Sequence, residues 1–234
     1  SRNAQAYLGS PEVVAASAVA GFIDLPGSDD VPTVKATIKA PDKAVVTAGK
    51  VRILPGFPET ITGEIIFCHQ DNINTDGIYP GKYTYIDDFT PEQQAQVVME
   101  NYDPNFTKIV KSGDVLIGGF NFGTGSSREQ AATSLKYRGI QLVVAGSFNE
   151  TYKRNALNNG FLAIEAPELV TALKQKFGSG QLSVRTEITA NIDFVKSVLV
   201  AEGVSYAISP VGTPAQELIL VGGLENWVKK NLKK

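Results

Sequence analysis

Gly118-Gly-Phe-Asn-Phe-Gly-Thr-Gly-Ser-Ser-Arg-Glu129 is the stretch on which the reading of this chain turns. Four of its twelve residues are glycine, and they lead directly into a helix-start pattern. Ser126-x-x-Glu129 has the form of a capping box, and Ser127-x-x-Gln130 repeats it one residue later. Glycine permits tight turns and leaves N–H groups uncovered. A helix N-terminus adds unpaired donors and about half a positive charge. Two hydroxyls and Arg128 fall where those donors converge. The pattern predicts an anion site, with Arg128 shaped to grip a carboxylate or phosphate through two hydrogen bonds. The plainer alternative is a strand-to-helix turn in which Ser126 only caps the helix.

Two familiar phosphate loops do not fit. A P-loop needs Gly-x-x-x-x-Gly-Lys-Ser/Thr, and no lysine follows these glycines before Lys136. A dinucleotide fingerprint needs a third glycine where Arg128 stands.

Outward from the loop, the chain alternates strand and helix patterns. Val115–Ile117 precedes the glycines, and the helix after Ser126 buries Ala131, Ala132 and Leu135 before stopping at Gly139. Ile140–Ala145 is a continuous apolar run, as in a strand covered on both faces. Ser147-x-x-Glu150 is another capping box, and its helix stops at Gly160. Phe161–Ile164 is strand-like, and Pro167 opens a helix with Leu169, Val170, Leu173 and Phe177 on one face. The order β-α-β-α-β-α predicts a short parallel sheet flanked by helices. Ligands bind beyond the carboxyl ends of such strands, where the glycine loop sits.

Nearer the start, Ser10 suits a helix cap with Pro11 in the first turn, and the helix ends at Gly21. Residues 26–33 form a polar, Pro/Gly-bearing break, so 1–33 reads as lead-in and linker and 34–234 as the main domain. Strands are expected at Val34–Ile38, Val45–Val46, Val51–Leu54 and Ile61–Phe67, closed by Cys68-His69 as a buried thiol and a strand-end imidazole. Asp71–Lys82 is a long loop dense in Asp, Asn, Gly and Pro, which suits either turn chemistry or function. Thr90 and Pro91 start a helix whose buried stripe is Ala95, Val98, Met99 and Tyr102. After residue 181, strands are expected at Val184–Thr189, Val198–Val200, Val204–Ile208 and Leu218–Val221. A closing helix carries Leu224, Trp227, Val228 and Leu232 on one side, with Trp227 as a packing anchor. Lys229, Lys230, Lys233 and Lys234 form its solvated face.

Composition narrows the functional classes. The chain has 234 residues, 43% hydrophobic and 20% charged, ordinary values for a globular protein. A formal charge of −2 does not favour nucleic acid. The single cysteine, Cys68, forbids an internal disulfide or a cysteine-held cluster, and the single histidine, His69, removes Cys/His zinc sites. No metal is therefore assigned to this chain. No apolar run reaches the roughly 18 residues of a spanning helix, so no membrane partner is expected. Residue 1 is Ser, and no basic, apolar leader follows it.

At this point the residues resemble a known family. Phe-Gly-Thr-Gly-Ser-Ser-Arg-Glu-Gln-Ala-Ala (122–132) is similar to the signature of the swivel domain of the aconitase superfamily. Asp-Asn-Ile-Asn-Thr-Asp-Gly-Ile-Tyr-Pro-Gly-Lys-Tyr-Thr-Tyr (71–85) resembles that domain's second active-site loop. Ala6–Ala20 resembles the end of the preceding cluster-bearing region, and Gly-Gly-Leu-Glu-Asn-Trp-Val-Lys-Lys (222–230) is similar too. The resemblance covers nearly the whole chain and is nearest to the superfamily's fungal homoaconitase branch.

That resemblance implies a swivelling β/β/α domain with a short parallel sheet, flanking helices and additional strands. It implies a mitochondrial hydro-lyase of lysine biosynthesis acting on a tricarboxylate through a [4Fe-4S] cluster held by other domains, in the same polypeptide or a partner subunit. By the same carry-over Ser126 is the base, while Ser127, Arg128, Asp76 and Gly125 shape the substrate-binding side. A serine needs activation, and helix-end N–H groups with Arg128 would stabilise its negative oxygen. Capping would occupy that oxygen, unless Thr124 or Gly125 takes the cap. Tyr83-Thr84-Tyr85 stands where related isomerases often carry Tyr-Leu-Arg, which leaves Lys82 open as a reader of the distal group. Aconitase, the small subunit of an isopropylmalate isomerase and a non-catalytic anion-binding module are the alternatives.

Overall fold

The computed structural model describes residues 9–27, 51–178 and 180–232. The chain divides into two units, Ser1–Val46 and Thr47–Lys234. The described part of the first unit contains the helix Pro11–Ala20 (α1). Ser10 caps it by accepting the Val13 N–H, and Gly21 closes it at φ +80°. The expected strands Val34–Ile38 and Val45–Val46 lie outside the described residues, as do Lys233 and Lys234.

In the second unit, Ile65, Ile66, Phe67 and Cys68 are wholly buried, which suits Thr60–Cys68 (β1) to the middle of a sheet. Val115–Gly118 (β2), Leu142–Ala145 (β3) and Leu162–Glu165 (β4) extend it on one side, each parallel to its neighbour. Ser183–Asp193 (β5), Val198–Ala201 (β6) and Val204–Ala207 (β7) extend it on the other side, all antiparallel. The order is β4-β3-β2-β1-β5-β6-β7. The alternation expected of a half-buried antiparallel strand appears in β5, where buried Ile188, Ala190 and Ile192 alternate with exposed Glu187, Thr189 and Asn191.

The helical pieces are Thr75–Ile78 (α2), Pro91–Val97 (α3), Phe106–Ile109 (α4), Gln130–Tyr137 (α5), Glu150–Asn158 (α6), Pro167–Phe177 (α7), Thr213–Val221 (α8) and Leu224–Leu232 (α9). Successive strand residues face opposite sides, so two cores form. Ile65, Phe67, Val115, Ile117 and Val144 share one with Leu169, Val170 and Leu173 of α7. Ile66, Cys68, Leu116 and Val143 share the other with α5 and α6. Each fully buried side chain of this size contributes about 1.5–3 kcal/mol.

Several expectations are corrected. Neither capping box before α5 forms: that helix begins at Gln130, and its N-cap position, Glu129, makes no side-chain cap bond. Gly123, Thr124 and Ser126 are instead bonded to Ile73 and Thr75 of the 71–82 loop, and the helix starts only after both serines. At α6 the cap is Asn149, which accepts the Thr151 N–H, because the Ser147 hydroxyl takes the Asn121 N–H. Leu218–Val221 is the end of helix α8, not a strand. Gln216 of α8 is fully buried, donates to the Arg52 and Val211 carbonyls and accepts the Leu54 N–H. That side chain takes the Arg52 carbonyl and the Leu54 N–H, two groups that a strand at Val51–Leu54 would have paired in a ladder. Asp71–Lys82 is not plain loop, since it contains α2 and leads into a 3-10 turn at Gly81–Tyr83. The Thr90 capping box does form with Gln93, but α3 ends at Val97, so Val98 and Met99 are buried beyond it.

Burial pushes the Cys68 thiol up to about 12, against an ordinary value of 9.0. The folded state thus favours the neutral thiol. Its contribution to stability is complete below pH 9 and is lost as pH rises toward 12. Native protein at pH 8 should resist a thiol reagent that titrates one thiol per chain after denaturation. Reaction of the native thiol at the rate of a free cysteine would contradict this packing.

Candidate functional site

β1 and β2 end side by side, with Cys68 opposite Gly118. Their parallel pairing continues into the two loops that follow. Asn72 N–H donates to the Phe120 carbonyl at 2.8 Å, Gly123 N–H to Ile73 at 2.8 Å and Thr75 N–H to Thr124 at 2.8 Å. Asp71 Oδ1 accepts the Phe120 N–H at 2.6 Å and the Lys174 ammonium at 2.5 Å. Partial burial alone would raise the Asp71 carboxyl, but Lys174 and the Phe120 N–H hold it below its usual range. Gly118, Gly119 and Gly123 are sterically required. A Cβ on Gly119 would lie 2.3 Å from the Gln70 carbonyl oxygen, and one on Gly123 would lie 2.3 Å from the Tyr152 ring.

The structure brings Asp76, Ser126, Ser127 and Arg128 to this junction. Arg128 Nη1 donates to Asp76 Oδ1 at 2.7 Å and to the Tyr79 carbonyl at 3.0 Å. Asp76 Oδ1 also accepts the Gly81 N–H at 2.9 Å. Arg128, and after it the Gly81 N–H, hold the Asp76 carboxyl below the usual carboxylate range. The pair therefore persists through neutral pH and breaks only on acidification below that range. Because the Asp76 side chain is half exposed, its main effect is to orient Arg128 rather than to stabilise the fold. Gly81 lacks the Cβ that would sit 2.9 Å from Arg128 Nη2.

Ser126 is exposed, and its backbone carbonyl, not its hydroxyl, accepts the Thr75 hydroxyl at 3.0 Å and the Arg128 N–H at 2.9 Å. The competition between capping and chemistry at this oxygen thus does not arise. Ser127 is also exposed, and its Oγ accepts Asn155 Nδ2 at 3.5 Å. Gly125 is exposed at φ +94° between these residues and the second loop. Lys82 is not free: Glu100 binds its ammonium at 2.5 Å. Among the described residues no group of three or more His, Cys, Asp or Glu could hold a metal ion. Cys68 is enclosed, 3.7 Å from the Ser183 hydroxyl.

The sequence reading missed Asn155 and Asn101. Asn155 is buried on the inner face of α6 beside Tyr152 and Ala156, so its place in the helical period was a usable signal. Asn101 donates to Asp76, but nothing local marks it. A cleft of 260 Å³ lined by β4 and residues 209–212 lies elsewhere.

Residues 40–169 match the family described as aconitase C-terminal domain, a span that includes both loops. The chain is 47% identical to homoaconitase, mitochondrial, of Candida albicans, over 100% of this chain and 37% of that protein. It is 46% identical to the Candida parapsilosis protein of the same name, again over 100% of this chain and 38% of the relative. The chain thus spans little more than a third of these relatives' length. Among solved structures it resembles 3-isopropylmalate dehydratase (leuD) of Methanocaldococcus jannaschii, with a TM-score of 0.62 and 34% identity, covering 74% of this chain and 96% of that one.

Gly123 and Gly125 both have positive φ, but only Gly123 is crowded; a Cβ on Gly125 would meet nothing closer than 3.6 Å. Gly125→Ala should cost on the order of 1–3 kcal/mol of stability from backbone strain. Gly123→Ala should cost clearly more, because the Tyr152 ring must also move. Equal melting temperatures for the two variants would refute the close packing of this turn.

Proposed function

The chain belongs to the aconitase C-terminal domain family, and on that premise we propose that it is the swivelling C-terminal part of a homoaconitase. The whole enzyme is a mitochondrial hydro-lyase that interconverts homoaconitate and homoisocitrate in the α-aminoadipate route to lysine. Mitochondrial relatives of that name, matched over the full chain, support the assignment. The observation that carries the site reading is the Arg128 guanidinium, braced by Asp76 beside a serine whose hydroxyl caps no helix.

In this reading Arg128, braced through Nη1, presents the rest of its fork to a substrate carboxylate, with Ser127 beside it. Ser126 takes the proton from the carbon next to a carboxylate. A serine alkoxide forms only beside stabilising charge, and α5 begins too late for its first turn to contain Ser126. Arg128 and the loop amides therefore carry more of that stabilisation than a helix end. Gly125 leaves the approach to Ser126 open, and Asp76 acts on the substrate through Arg128.

The [4Fe-4S] cluster that the resemblance implies does not fit the residues of this chain, whose single cysteine is enclosed. We assign the cluster to the cluster-bearing domains outside this chain, and no step is routed through it here. Those domains also cover the exposed Ser126 and Ser127 and exclude water from them.

In the complete enzyme, Ser126→Ala should lower kcat by about 10²- to 10⁴-fold with little change in KM. Unchanged turnover would remove Ser126 as the base. Arg128→Lys should raise KM for homoisocitrate by about 10- to 100-fold, because lysine cannot reproduce the planar fork. The native polypeptide, purified without oxygen, should have a mass well above 25.0 kDa and contain cluster iron. A lone 25.0 kDa chain with neither iron nor a partner would favour an anion-binding module instead.

A further inference from the structure

Met99 has φ +62° although it is a bulky residue with no solvent exposure. A left-handed backbone at such a residue persists only where the surroundings fix it, and such strain concentrates at functional sites. The turn aims consecutive groups at the second loop. Met99 N–H donates to the Ile78 carbonyl at 2.7 Å. The Glu100 carboxylate accepts the Lys82 ammonium at 2.5 Å and the Tyr83 hydroxyl at 3.0 Å. Asn101 Nδ2 donates to Asp76 Oδ2 at 3.0 Å and to the Asp76 backbone carbonyl at 3.1 Å.

These contacts divide the Asp76 carboxylate between two elements. Oδ1 is occupied by Arg128 Nη1 and the Gly81 N–H, and Oδ2 by Asn101. The last torsion of an aspartate is broad, so a carboxylate tied through one oxygen alone can swing about it. A donor on the second oxygen that also holds the same residue's carbonyl removes that freedom.

We propose that Asn101 is a positioning residue for substrate binding: it fixes the plane of the Asp76 carboxylate and thereby the direction of the Arg128 fork. This rests on the reading that Arg128 holds a substrate carboxylate. Asn101 is exposed and buries no core surface, so its removal should act on geometry rather than on folding.

The test uses the full-length enzyme with homoisocitrate as substrate. Asn101→Ala should raise KM by about threefold to tenfold while kcat stays within about twofold. Asn101→Ser, which keeps a short donor, should recover part of the loss. The change should add little in an Arg128→Lys background, since both act through one fork. The amide also helps hold the Asp76 carboxyl low, behind Arg128 and the Gly81 N–H, so its loss should move the acidic limb of kcat/KM to higher pH. A simple loss of folded protein would not shift that limb. If Arg128→Lys raises KM but Asn101→Ala leaves KM and the acidic limb unchanged, the positioning role falls alone. Additive effects of the two changes would also overturn it. If Arg128→Lys leaves KM unchanged, the carboxylate-binding reading falls and this inference with it.

Discussion

The site depends on one constraint, the parallel pairing of β1 with β2 carried past the ends of both strands. Two loops 49 residues apart in sequence are joined by backbone bonds and by Asn121 Nδ2 donating to Asn72 Oδ1. Each loop supplies what the other lacks. The 71–82 loop brings Asp76 and the Tyr79 carbonyl, and the glycine loop brings the serines and Arg128. Neither could hold an arginine fork by itself, because the donor and its two acceptors lie on opposite loops.

The same pairing explains why the glycines occur where they do. Gly118, Gly119 and Gly123 lie where a Cβ would strike Phe122, the Gln70 backbone or Tyr152. The ring of Tyr152 sits stacked on Phe148 and edge-on to Phe122, so this wall has little room to yield. An aromatic cluster thus backs the glycine loop, and hydrogen bonds tie that loop to the 71–82 loop. An open surface can carry well-placed groups when its backbone is fixed in this way.

Much of this was legible in the sequence. The alternation of strands and helices from Val115 to Phe177 gave the parallel half, because continuous apolar runs mark doubly covered strands and Gly139 and Gly160 punctuate them. The candidate residues of both loops were also readable as motifs, and the fold brings them to one junction. The helix starts were less so. Ser126-x-x-Glu129 is a sound local capping pattern, but tertiary pairing to the 72–75 segment outcompeted it. Leu218–Val221 looks like a strand in isolation, whereas the buried Gln216 and the left-handed Gly222 make it the end of a helix. Asn101 could not be found by pattern at all, since its partner Asp76 is 25 residues away and no periodicity links them.

The central position of β1 has a consequence for synthesis. Its neighbour on one side, β2, follows after an intervening run of short helices, but the other side waits for β5, where Thr186 donates to the Ile65 carbonyl across 121 residues. On the ribosome, Ile65-Ile66-Phe67-Cys68 therefore emerges long before its second edge can be covered. An apolar strand with one open edge is a template for pairing with other chains. Through that interval the nascent chain carries an unpaired apolar edge, and the parallel half of the sheet stays open at its centre until β5 arrives.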